Sequence, residues 1–79
     1  MCSIVNKLRR IELAKAKELL NEIYDIIDSV KTDEEDAFNN LPDSLQQTDR
    51  GERMEDNIDY LDDALDHIQN VCNILNNIE

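Results

Sequence analysis

Proline and glycine each occur once in these 79 residues, as Pro42 and Gly51. Both fall in one short segment, "NNLPDSLQQTDRGERME", and everywhere else the chain lacks the two residues that most readily interrupt a helix. Tryptophan is absent, and two tyrosines and one phenylalanine are the only aromatics, so any core is aliphatic. No apolar run approaches the roughly 20 residues that span a bilayer, and the start of the chain shows no uninterrupted apolar signal core. The expectation is a soluble, cytoplasmic protein. Its two cysteines, Cys2 and Cys72, suggest no disulfide framework.

Positive charge is scarce: 8 Lys and Arg stand against 19 Asp and Glu, a net charge of −11. The distribution is uneven. Residues 1–20 carry five bases against two acids, a net +3, and residues 21–79 carry three against seventeen, a net −14. An acidic body repels phosphates and attracts basic partners, so direct nucleic-acid binding is disfavoured.

What the sequence does have is helical periodicity. Leu13, Ala16, Leu20, Ile23, Ile27, Val30, Ala37 and Leu41 alternate steps of three and four, with Glu34 in the one polar slot. This is a heptad seam, which Leu19, Tyr24, Ile26 and Phe38 broaden into a bundle-type stripe. A second seam follows at Met54, Ile58, Leu61, Leu65, Ile68, Cys72 and Leu75. Between them Pro42 pushes Leu41 out of the α region, so the first helix ends near Asn39–Asn40. "PDSLQQ" fits one short helical turn with Pro42 at its first position. Thr48 or Asp49 caps the next helix, with Asp49 and Glu52 spaced as a capping box, and Gly51 falls in the first turn. Thr32-Asp33-Glu34-Glu35 is a capping box as well, so the first helix either continues in register or restarts there.

The expected fold is all-α: one antiparallel helical hairpin with a basic amphipathic arm at 1–12, a first helix at 13–40, a turn at 41–48 and a second helix at 49–78. Pairing the seams sets Met54 near Ala37, Leu65 near Ile27 and Leu75 near Ala16. The arm then overhangs, and its Ile4, Leu8 and Ile11 lie far round the helix from the seam. Helix two carries a further stripe of Tyr60, Ala64, His67, Val71, Ile74 and Ile78. One partner helix cannot cover two stripes, so a homodimer forming a four-helix bundle is expected, with these nine residues as the oligomer interface and the arm's Lys7, Arg9 and Arg10 meeting the partner's acidic end.

The chemistry-bearing residues point to binding and not to catalysis. Glu52, Glu55, Asp56, Asp59, Asp62, Asp63 and Asp66 avoid the seam, with neighbours about 5–6 Å apart along the helix. That spacing suits either a solvated face or a rod mimicking nucleic-acid phosphates before a basic protein. Asp63 and His67 stand four apart, but the Glu-x-x-His pattern of di-iron bundles and the calcium-loop pattern are absent, so no metal and no cofactor are expected. His67 is not coupled to an identifiable Ser or Cys nucleophile, and Cys72 reads as a small seam hydrophobe. No enzymatic activity is expected. The arm "SIVNKLRRIELAKAK" has the amphipathicity of a membrane-surface helix but no aromatic anchors, which favours a protein contact over a membrane.

Residues 38–68 resemble small acidic helical proteins of phage and prophage genomes. The shared features are the turn Phe38, Asn40, Leu41, Pro42, Ser44, Leu45 and Gln46, then Gly51, Glu52, Met54 and Glu55, and a helix rich in Ile, Leu and Ala. The resemblance implies a phage-type origin and a hairpin, and it implies no activity. The basic arm lies outside it. The resulting expectation is a phage-encoded, non-enzymatic inhibitor of a host nucleic-acid-binding or defence protein, acting through the acidic surface. The competing expectation is an assembly protein whose apolar stripes serve only homo-oligomerisation.

Overall fold

With no breaker before Asn39, nothing in the chain stops the first helix from running its full length. The computed structural model describes residues 2–78, with side chains from residue 6 onward, and α1 runs unbroken over Cys2–Asn39. The arm and the first heptad stretch are therefore one rod. It passes through Thr32 without a restart, because a Ser/Thr-led box offers a helix start but nothing there forces one. α1 ends where its last amides turn onto nearby carbonyls, Asn40 N–H on Asp36 O at 3.0 Å and Leu41 N–H on Phe38 O at 3.1 Å. A four-residue helix, α2, spans Asp43–Gln46, with Pro42 as its N-cap at φ −56° and ψ 148°. α3 then runs Asp49–Asn76. Among the described residues there is no strand.

The corner is held by contacts that no local motif announced. Gln46 Nε2 donates to the carbonyls of Phe38 at 3.2 Å, which also accepts the Leu41 amide, and of Leu41 at 3.1 Å, just past the end of α1. The expected capping box at Asp49 and Glu52 does not form. Thr48 is the N-cap of α3, but its hydroxyl donates back to Leu45 O, and no side chain caps the helix. Gly51 is buried, and a Cβ built on it would stand 2.1 Å from Gln46 O and 2.5 Å from Gln46 C. The lone glycine thus lets the backbone of α2 lie directly on the first turn of α3.

α1 and α3 pack side by side into a rod with extents of 67 × 15 × 13 Å and a radius of gyration of 18.6 Å. A compact chain of this length would have a radius near 12 Å. The contact line on α1 is the half-buried set Leu13, Ala16, Leu20, Tyr24, Ile27, Lys31, Glu34, Phe38 and Leu41. It departs from the expected heptad seam at three places: Ile23, Val30 and Ala37 are exposed, and Tyr24, Lys31 and Phe38 face α3 instead. A helix with 3.6 residues per turn drifts about 20° per heptad from a 3.5 repeat, so a strict heptad line leaves the contact unless the helices supercoil to follow it. On α3 the expected seam holds throughout, from half-buried Met54 to half-buried Leu75. Leu65, at 4% exposure, is the one buried hydrophobic side chain among those described.

Replacing Gly51 by alanine tests the close approach. In an open helix the change stabilises by about 1 kcal/mol. Against immobile backbone at Gln46 it is expected instead to cost a net 1–3 kcal/mol, on the order of an overpacked core. Thermal melting followed by circular dichroism reads the sign, and a more stable variant would refute the packing of α2 on α3.

Candidate interaction surface

The hairpin has two broad faces, and the residues sort between them by angle. At about 100° per residue, Glu35 and Asn39 lie roughly 80–120° round α1 from the contact residue Ile27, and Glu55 and Asp59 lie roughly 80–120° round α3 from Leu65, in the same rotational sense. In antiparallel helices equal senses open to the same side. Accordingly Glu35, Phe38, Asn39, Glu55, Ile58 and Asp59 line one shared hollow. Lys31 and Asp62 fall in this sense too, and their side chains meet across the face at 2.8 Å.

This is the acidic face. Glu52, Glu55, Asp56, Asp59, Asp62, Asp63 and Asp66 are all exposed, and they spread over an arc from the shared face to the outer edge of α3. Asp62 alone of the seven is paired, to Lys31. That hydrogen bond, reinforced by the charges of Asp62, Glu35 and Asp28 and opposed by some desolvation, holds the Lys31 ammonium above its ordinary value of 10.5. Among the described residues, no three or more His, Cys, Asp or Glu side chains gather so as to hold a metal ion.

The opposite sense leads to the apolar face. Leu8, Leu19, Ile23, Ile26 and Val30 lie roughly 40–100° round α1 from the contact line, and Tyr60, Ala64, Val71 and Ile78 roughly 100–140° round α3, all turned to the same side. Their exposure is large: Leu8 59%, Leu19 57%, Ile26 63% and Tyr60 70%. Of the nine expected interface residues, Leu8, Ile11, Tyr60, His67, Val71, Ile74 and Ile78 are exposed and Ala64 is half-buried. The side chain of Ile4 lies outside the described residues. Leu19, Ile23, Ile26 and Val30 were missed as surface residues, because the heptad reading absorbed Ile23 and Val30 into the seam and Leu19 and Ile26 into its widening. A wheel drawn at 3.6 residues per turn separates them. The pair Glu12–Lys15, 3.8 Å apart and exposed, interrupts the stripe between Leu8 and Leu19.

Two hollows lie along this side. Tyr60, Asp63, Ala64, His67 and Ile68 line one on α3, which places His67 in a surface shared with Tyr60 and Asp63. The other opens past the end of α3, where the arm overhangs, and is lined by Leu8, Arg9, Arg10, Glu12, Leu13 and Ile78. Cys72 is a half-buried free thiol on the contact line. No helix among the described residues is long and apolar enough to cross a membrane.

The Lys31–Asp62 pair carries a pH signature. Lys31 has a raised folded-state value, so its contribution to stability is complete below 10.5 and is lost as pH rises through the folded-state value. Lys31→Met is expected to lower the urea midpoint at pH 7, and the gap to the wild type is expected to close as pH rises above 10.5 through the folded-state value. Compared with known proteins, the chain matches no family model, no curated protein and no solved structure.

Proposed function

We propose that this protein acts by binding, without catalysis, as a homodimer of hairpins whose apolar faces pack into a four-helix bundle. The observation that carries this reading is the sorting of side chains: exposed aliphatic stripes of both helices share one face, and the exposed carboxylates of α3 lie on the other and along the outer edge. The apolar face runs some 35–40 Å along the rod and about two helix widths across, or roughly 700–800 Å², close to the ~800 Å² per partner of a standard interface. Exposed apolar patches of this size mark interaction sites on soluble proteins.

Dimerisation through that face leaves the acidic faces turned outward. A double-sided acidic rod with carboxylates about 5–6 Å apart suits a basic protein surface of the kind that holds nucleic acid. Together with the phage-type resemblance of residues 38–68, this supports a phage-encoded inhibitor of a host nucleic-acid-binding or defence protein, working in the host cytoplasm. The apolar stripes alone also support a second reading, an assembly protein with no further partner.

Salt and charge separate the two readings. For the inhibitor, retention of a captured basic protein is expected to fall roughly tenfold or more between 50 and 500 mM salt, and to vanish on reversal of Asp59, Asp62, Asp63 and Asp66 to Lys. Self-association is expected to survive both changes and to be abolished by Val71→Asp or Ile74→Asp. Recovery of the same proteins by wild-type and charge-reversed baits would leave only the assembly role. A wild-type sedimentation mass of 9.2 kDa at micromolar concentration would remove the dimer.

A further inference from the structure

The hairpin is polarised along its length as well as across its width. The Lys31–Asp62 contact sets residues whose numbers sum to about 93 level with each other. On α3 the apolar stripe from Tyr60 to Ile78 is then centred at residue 69, level with residue 24 of α1, in the midst of exposed Leu19, Ile23, Ile26 and Val30. A line across both helices at that level divides the rod. On one side, residues 6–24 of α1 carry five bases against three acids and residues 69–78 carry no charged side chain, a net +2. On the other, residues 25–68, which include the corner, carry three bases against fifteen acids, a net −12.

Two copies laid face to face along their apolar sides pair in two regular ways under a two-fold axis. With the axis along the rod, α1 of each copy lies on α3 of the other, and like halves meet, −12 against −12. With the axis across the rod near the level of residue 24, α1 lies on α1 and α3 on α3. Opposite halves then meet, and both −12 halves stand against +2 halves. The apolar stripes overlap in either pairing, so burial does not separate the two. Charge does, because juxtaposed like charges cost several kcal/mol and fix orientation by exclusion. At physiological salt the Debye length is about 8 Å, close to the spacing of packed helices, so charges flanking the interface still act across it.

We infer that the second copy docks on the apolar face end for end, with the corner half of each hairpin against the net-positive half of the other. This rests on the dimer reading above and adds the orientation. The apolar stripes hold the two copies together, and the total charge of each half turns them, without need of any one side-chain pair. The assembled bundle carries its two acidic halves at opposite ends.

Spin labels on the full chain read the orientation. In a Cys2→Ser, Cys72→Ala background, one label per chain is placed at Asn39→Cys or, in a second protein, at Asn21→Cys. Both positions are exposed and turned away from the apolar face, and neither substitution changes the charge. Asn39 stands about 15 residues from the proposed axis and Asn21 about three, at 1.5 Å per residue. With helix layers about 10 Å apart, end-for-end docking is expected to give a label separation of roughly 50 Å at Asn39 and roughly 30 Å at Asn21 by double electron–electron resonance. An axis along the rod gives roughly 30 Å at both. Sedimentation of the same proteins is expected at about twice 9.2 kDa, and circular dichroism verifies that they remain helical. A mass of 9.2 kDa with no coupling between labels sinks the dimer and its orientation together. A dimer whose Asn39 labels stand as close as its Asn21 labels refutes the orientation and leaves the dimer standing.

Discussion

Two helices packed side by side share one line of contact, and that geometry limits everything else in this molecule. Each helix offers the other a strip about one side chain wide, so a residue is fully enclosed only where both neighbours reach round it. Leu65 is the one hydrophobic side chain described that reaches that state. The rest of the seam is half-covered, and a chain of this size already buries only about 60% of its extended surface when it folds compactly. The rod shape makes the fraction smaller still. The exposed stripes mark the apolar surface that the hairpin leaves uncovered.

Polar groups sharpen this picture at both ends of the rod. At the closed end, Gln46 answers the carbonyls of Phe38 and Leu41, and Gly51 lets α2 sit on α3, so the corner is rigid without a large core. Midway, Lys31 crosses to Asp62 at a position where a wider apolar seam would have held Val30. An ion pair at the rim of the contact adds little energy in water, but it fixes the rotation and register of one helix against the other. That rotation turns Ile23, Ile26 and Val30 to one side and Glu35 to the other. The two-faced character of the hairpin follows from it. At the open end, Leu8, Arg9, Arg10, Glu12, Leu13 and Ile78 line a hollow beside the end of α3.

Much of this was legible in the sequence. Two helices, the break at Pro42 and the antiparallel pairing follow from periodicity and backbone chemistry, which act within a few residues. The exposed acids of α3 were legible too, because every seam position of that helix is taken by an apolar residue. Other features were not legible. Whether Thr32 restarts a helix, whether Asp49 and Glu52 close a capping box, and why a glycine sits at position 51 all depend on what stands nearby in space. At position 51 the deciding neighbour is the backbone of Gln46, which leaves no room for a Cβ.

The sequence by itself determined the hairpin, the uneven division of charge and the surplus of apolar side chains over what one pair of helices can cover. Only the tertiary structure decided which side chains form the surplus. A period of three and four residues is shared by a 3.5 and a 3.6 repeat, and over α1 the two differ by enough to exchange Ile23 for Tyr24 and Val30 for Lys31 at the contact. That choice is made by the angle at which two rods meet, a property of the pair that neither helix carries alone.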